Sequence, residues 1–342
     1  MFNNTIELNM FKSDLSSLTD SRWMFTTCSN LISFEADTSS LSDCEGMFYN
    51  CYKIANFKSD SKYITSGKYM FSHCYDLTSF ICDLSNLTHA TSMFTSCSNL
   101  SIFAADDNGT IINLKSLKIG DEMFGGCSKF TSFSSDLSSL TSGNYMFVNC
   151  SNLTSFTSIL KSLTGGKYMF GGCKLLSHFE SDLSSLTNGN IMFADCKLDA
   201  PSIKNIIDTI NTVESAPLGI GMGCNNNVTD VNLFAQEVGY ADMNSLLADI
   251  QNKGWTVTAQ YNGRPSTNYS LRQPEPLPVF VKLVEISPDE EFPFYEYTSI
   301  DGSKFYNLDW FHETTGSTDA YTQFSSVEEA ITHFNIKPTN LQ

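Results

Sequence analysis

Met146-Phe-Val-Asn-Cys-Ser-Asn-Leu-Thr-Ser-Phe156 is one statement of a pattern that the chain makes seven times and opens an eighth time at Met192, stopping after Cys196. The pattern runs Met-Phe-x-x-Cys-x-x-Leu-x-x-Phe-x-x-Asp-Leu-x-x-Leu and closes on a turn that often contains Gly. Its Met-Phe pairs begin at Met24, Met47, Met70, Met93, Met123, Met146, Met169 and Met192, at intervals of 23, 23, 23, 30, 23, 23 and 23 residues. A fixed period of this length is the signature of a solenoid, in which each repeat rests on the one before. The pattern predicts architecture and contains no chemistry, so it points to a protein that binds or builds.

Within a period each residue type has a place. Met146, Phe147, Cys150, Leu153, Phe156, Leu160 and Leu163 put an apolar side chain at every third or fourth position. One turn cannot bury that face alone, and stacking on its neighbours does so. Two residues after the second Phe the side chain is small: Ala36, Ser59, Cys82, Ala105, Ser135, Ser158 and Ser181. On a strand it shares the direction of that Phe, and it must leave room for the ring. The turn ahead of Met-Phe carries Gly67, Gly120, Gly143, Gly166 and Gly189, which suits a backbone with φ > 0.

These residues resemble the BspA-like leucine-rich repeats, whose unit is Ala-Phe-x-x-Cys-x-x-Leu-x-x-Ile-x-Ile-Pro. Met stands here for the Ala, Phe for the first Ile, a small residue for the second, and usually Asp for the Pro. The resemblance covers about residues 8 to 198. It implies short parallel strands lining one face, looped turns on the other, and members that act in adhesion and recognition with a repeat that is not catalytic. The expected fold is an α/β-type repeat protein: a leucine-rich-repeat solenoid with parallel strands over 1–198, a helix–strand C-terminal cap over 199–262, a Pro-rich linker over 263–278 and a small α+β C-terminal domain over 279–342.

A net charge of −17 over 342 residues disfavours nucleic acid or an anionic membrane as partner. No apolar run reaches the roughly 20 residues of a membrane helix, so no membrane insertion is expected. The start of the chain carries neither a basic segment nor an apolar core, so no signal peptide is read there. That favours a protein assembled in the cytosol and released otherwise, such as a phage virion component, over an exported bacterial surface adhesin. The cap and tail also look similar to segments that follow BspA-like repeats in phage proteins of gut bacteria. The partners expected are virion neighbours or a host cell-surface protein or glycan, and a homo-oligomer is compatible with the sequence.

Of eleven cysteines, eight (Cys28, Cys51, Cys74, Cys97, Cys127, Cys150, Cys173 and Cys196) share one repeat position. Stacked at the strand spacing of about 4.8 Å, their parallel side chains cannot surround a metal, and buried free thiols in apolar slots are expected. The repeated Asp, from Asp14 to Asp182, is read as capping the following turn rather than as a calcium row. No cofactor, metal or catalytic constellation is expected, and an enzyme built from distant residues is the weakest alternative. The 30-residue interval is assigned to seven extra residues at 107–113, with Asn108-Gly109 as a two-residue hairpin turn.

Beyond the repeats, Asp199-Ala-Pro-Ser opens a helix, a strand follows at 217–222, helices at about 230–238 and 242–253, and a strand at 255–261. In the tail, strands at 279–285, 292–299 and 304–311 and a helix from Ser326 to about Phe334 are expected. Recognition is expected where residues flank the second Phe and point away from the core: Ser33/Glu35, Asn56/Lys58, Ser79/Ile81, Ile102/Ala104, Ser132/Ser134, Ser155/Thr157 and His178/Glu180. The candidate binding residues are Lys58, Ile81 and Ile102, with Asn108 at the edge. The plainer alternative is a solvated face with two stray isoleucines.

Overall fold

The computed structural model describes residues 2–222, 231–261 and 264–265, and three further strands at 280–287, 294–299 and 304–308. The repeats form the expected solenoid. Its strands are β1 (Met10–Asp14), β2 (Ser33–Asp37), β3 (Asn56–Lys58), β4 (Ser79–Ile81), β5 (Ile102–Ala104), β6 (Ser132–Phe133), β7 (Ser155–Phe156) and β8 (His178–Phe179). Within the runs β1–β2, β3–β5 and β6–β8 they pair in parallel one period apart, so that Phe57 faces Phe80, Phe80 faces Phe103 and Phe133 faces Phe156.

A second ladder of parallel bridges runs Asp20, Asp43, Ser66, His89, Ile119, Ser142, Gly165, Asn188. A third set of bonds joins the Met-Phe turns: the Phe48, Phe71, Phe94, Phe124, Phe147 and Phe170 amides each donate to the carbonyl of the next repeat's Met at 2.8 Å. Buried backbone groups are thus satisfied from turn to turn on several sides of the coil. Between the ladders lies an aromatic spine. The first-Phe rings stack from Phe25 through Phe193 with centroids 5.1 to 5.8 Å apart. Each also meets second-Phe rings edge to face, as Phe147 meets Phe156, a geometry that rings favour beyond their burial.

The glycine expectation is corrected. None of Gly67, Gly120, Gly143, Gly166 and Gly189 has positive φ. The first four are small because the next repeat's Met lies against them, and Gly189 because Leu218 does: a Cβ on Gly67 would stand 2.7 Å from Met93 Sδ, one on Gly143 3.2 Å from Met169 Cε, and one on Gly189 2.7 Å from Leu218 Cδ1. Ser21, Cys44 and Ala90 fill the same place in the other repeats. The left-handed residues are instead the one before each Met and the one before each repeat Cys, among them Trp23, Gly46, Tyr69, Tyr145, Tyr168, Asn50 and Asn149. The turn demands that conformation whichever side chain stands there, at a cost of roughly 1–2 kcal/mol for a residue that is not Gly.

The 30-residue interval is placed differently from the sequence reading. Ser135 Oγ donates to Ile112 O, one period back, and Asn113 Oδ1 accepts from Lys115 N as Asp136 does from Ser138 N. The extra residues are therefore 105–111, with Ile112 in the small-residue place and Asn113 in the Asp place. Ala105, expected inward, is half-buried at the start of the hairpin, and Ala104 is buried instead. The loop spans four residues, with Ala105 N donating to Thr110 O and Gly109 at φ +76, rather than a two-residue Asn108-Gly109 turn. It breaks the strand ladder between β5 and β6. The Met-Phe bonds continue across the break, and Phe130, standing where other repeats have Leu or Ile, touches Phe103, Phe124 and Phe133.

Helix α1 (Ala200–Thr209) follows, capped by Asp199 with Pro201 in its first turn. Ser202 Oγ and Asn205 Oδ1 accept from Phe179 N and Ser181 N, so the helix covers the open edge that β8 would otherwise present. Strand β9 (Ala216–Met222) offers the last repeat what another repeat would: Gly189 N donates to Pro217 O, and Phe193 N to Gly219 O. Helices α2 (Val231–Val238) and α3 (Met243–Asn252) and strand β10 (Trp255–Tyr261), parallel to β9, come next. β11 (Arg264–Pro265) pairs antiparallel with β10, so a strand begins where the linker was expected. By itself, the C-terminal segment contains an antiparallel sheet of β12 (Phe280–Ser287), β13 (Phe294–Ser299) and β14 (Lys304–Leu308). The expected helix at 326–334 lies outside the described residues, as do Trp310 and Phe311.

Candidate functional site

On the strand face, Lys58 pairs with Ile81, and Ile81 with Ala104, while Ile102 pairs with Ser79. Lys58, Ile81 and Ile102 therefore lie on one small three-stranded sheet. Ile102 is 51% exposed, Ile81 is half-buried, and Asn108 is exposed on the hairpin. The hairpin adds a residue that the sequence reading passed over: Ile111, 63% exposed, bridges to Ala104. Lys58 is not free. Its Nζ makes an ion pair with Asp107 Oδ2 at 2.5 Å, so the lysine reaches past β4 to hold the hairpin. Asp106 orders the loop by accepting from Asn108 N, Thr110 N and Thr110 Oγ1, and the Thr110 bonds lead in holding its carboxyl below the usual range.

The capping reading of the repeated Asp fits the geometry. Asp14, Asp37, Asp83, Asp136 and Asp182 each accept from the backbone amide two residues on, at 2.8 to 2.9 Å. Asp60 departs, and Ser59 Oγ accepts from Ser61 N in its place. The eight repeat cysteines are buried, but their slots are not purely apolar. Each thiol donates to the carbonyl of the preceding repeat's first Phe, as Cys51 does to Phe25 O at 3.0 Å and Cys150 to Phe124 O at 3.1 Å. Burial pushes these thiols up, to about 12 for Cys173, which makes them unreactive.

His178 Nδ1 lies 3.7 Å from Asp199 Oδ2. Ser202 Oγ donates to Asp199 rather than to the imidazole, so the three form a helix cap and not a nucleophile with its base. Among the described residues no group of three or more His, Cys, Asp or Glu could hold a metal ion, and no helix is long and apolar enough to cross a membrane.

The sequence reading missed a second surface, on the Met-Phe turns. Trp23 has the six-membered ring of its indole on Gly46, where a Cβ would meet Cε3 at 2.1 Å. Tyr69 lies 6.3 Å from Trp23 with planes 28° apart, and Tyr49 stands across both at 70° and 89°. The cluster continues through His73 and Tyr75 to Tyr52. Its signal was legible as an aromatic residue before Met in Arg22-Trp-Met and Lys68-Tyr-Met.

The family described as BspA type leucine rich repeat region matches residues 1–118 and 103–214, in 6 copies. No curated protein matches the chain. Among solved structures the chain is similar to a leucine-rich repeat protein from Bacteroides ovatus ATCC 8483, at 14% identity over 64% of this chain and 70% of that one, with a TM-score of 0.34. Strand pairing, repeat spacing and the match over most of the repeats agree: the chain belongs to the BspA-type leucine-rich repeat family.

Proposed function

We propose that this chain is a non-enzymatic recognition scaffold that binds a protein partner through the strand face around Ile81, Ile102 and Ile111. The repeat family is typically non-enzymatic and its members generally bind proteins. One observation carries the choice of face: the single break in the period builds a hairpin that Lys58 ties down beside two exposed isoleucines. Exposed apolar side chains gathered on one face and rimmed by polar groups mark contact surfaces, where single scattered ones do not. The finer reading is a virion or tail-associated component whose partner is a virion neighbour or a host-surface protein or glycan. Buried thiols that donate hydrogen bonds are compatible with folding in a reducing cytosol, which supports that reading over an exported adhesin.

The test is the double substitution Ile81→Asp and Ile102→Asp. Both side chains leave the core untouched, so the expected protein folds and melts normally but loses attachment to cells or incorporation into particles. A folded variant that attaches and assembles as before moves the binding surface elsewhere. Recovery of the wild-type chain from purified particles, rather than from the cell envelope, separates a virion component from a surface adhesin.

A further inference from the structure

The repeat contains its own demonstration of what the aromatic surface can hold. Tyr145 stands directly before Met146, and its amide donates to Lys167 O at 2.8 Å. Lys167 then places its Nζ 5.6 Å from the centre of the Tyr145 ring, within the range of a cation–π contact. Trp23 occupies the same place in the Met24 repeat and makes the same backbone bond, to Glu45 O at 2.8 Å. The residue that is a lysine over Tyr145 is thus a glutamate beside Trp23. The nearby Arg22 is engaged by Asp20 and Asp43, and the Glu45 carboxylate is a smaller part of the negative field around it. Lys68, one repeat on, bonds through its carbonyl to Gly46 N, where the Trp23 indole lies, but the cation–π contacts among the described residues are those of Lys62 with Tyr63 and Lys167 with Tyr145.

We propose that the Trp23–Tyr49–Tyr69 surface receives an arginine or lysine side chain of a protein partner, with Glu45 as the counter-charge. Trp23 is 39% exposed although one side of its ring lies on Gly46, so the other side faces outward. Tyr69 extends that platform and Tyr49 forms a wall nearly perpendicular to it. Indole is the strongest cation–π partner among side chains, and a planar guanidinium stacks on such a platform. An acidic position where the repeat elsewhere supplies its own cation leaves the site complementary to a positive group from outside. The inference goes beyond the strand-face reading and uses a different set of turns.

The variants come from the molecule itself. Glu45→Lys copies the arrangement at Lys167 and supplies an internal competitor. Trp23→Gly copies Gly46, which already holds this left-handed position one repeat on. The full chain is titrated calorimetrically with a hexa-arginine peptide and, separately, with a neutral cello-oligosaccharide. The expected result is saturable peptide binding that each variant weakens about tenfold. Glu180→Lys, an equal charge change at an exposed position after β8, is expected to leave that binding nearly unchanged. The proposal is overturned if the peptide does not bind, if Glu180→Lys weakens binding as much as Glu45→Lys, or if the oligosaccharide binds in the peptide's place. None of these variants touches Ile81 or Ile102, so failure here leaves the strand-face reading standing.

Discussion

The repeats from Met24 to Met93 and those from Met123 to Met192 share one interior and differ outside. In both halves the Met of most repeats, the Phe and the repeat Cys are buried, and the first-Phe rings keep the same stacking. On the strand face the first half carries Glu35, Lys58, Ile81 and Ile102, and the second carries Ser132, Ser134, Ser155 and Thr157. On the Met-Phe turns the first half sets Trp23, Tyr49, Tyr69 and His73, where the second has Glu122, Gly125, Val148 and Gly171 among its tyrosines. Burial between identical neighbours dictates the inside, and solvent leaves the outside free to diversify.

If the interior is one continuous device, conditions that attack it should act on both halves together. The largest such effect is alkaline. Buried thiols are raised from their ordinary value of 9.0, to about 12 for Cys44, Cys82 and Cys173. Below pH 9 they are protonated both folded and unfolded, and stability does not respond. Above it only the unfolded chain ionises, so stability falls by about 1.4 kcal/mol per pH unit for each thiol. The fall continues to about pH 12 for those three. Urea midpoints should be flat from pH 7 to 8.5 and drop steeply from pH 9 in a single transition. A profile level to pH 11 would mean that the thiols are not sequestered.

Next in size is the spine. Phe71→Ala and Phe147→Ala each remove a fully buried ring flanked by stacked and edge-on neighbours. Each should cost about 3–5 kcal/mol, by urea denaturation, and the two costs should agree. A much smaller cost in one half would break the equivalence.

The interior was legible because each core residue recurs at the same offset, so the errors of any one repeat cancel. The parallel ladder, the Asp caps, the helix opened by Asp199 and Pro201 and the buried thiols all follow from such signals. Residue type alone misled where two causes produce the same letter. Gly143 is small to admit Met169, not to turn the chain, and the left-handed positions are hidden because residues as different as Trp23 and Asn50 occupy them. The hairpin was misplaced by aligning on Asp106, although counting one period back from Asp136 lands on Asn113. The thiol hydrogen bonds left no trace in sequence, since a cysteine in an apolar row reads as a small hydrophobe. The aromatic platform is partly hidden in the sequence because Trp23, Tyr49 and Tyr69 come from three different repeats and not from one repeat offset.

The smallest effect concerns the element that separates the halves. Two devices hold the hairpin: the exposed Lys58–Asp107 pair from outside and the Asp106 carboxylate from within. An exposed pair is screened by water and salt and contributes little to stability, so Lys58→Met should leave the urea midpoint unchanged. Asp106→Ala removes three bonds that set the loop's own shape, yet the interior does not depend on them, since Ile112 and Asn113 restore the period. Its effect should also stay local. Limited proteolysis within 105–111 is the sensitive measurement, because cleavage there tracks local opening rather than global unfolding. Cleavage should be fastest in Asp106→Ala, intermediate in Lys58→Met and slowest in the wild type, and added salt should bring the wild type toward Lys58→Met. If Lys58→Met is the faster of the two variants, the lysine and not the loop keeps the hairpin over the strand face. The boundary between the halves would then be a charge-set clasp rather than a built turn.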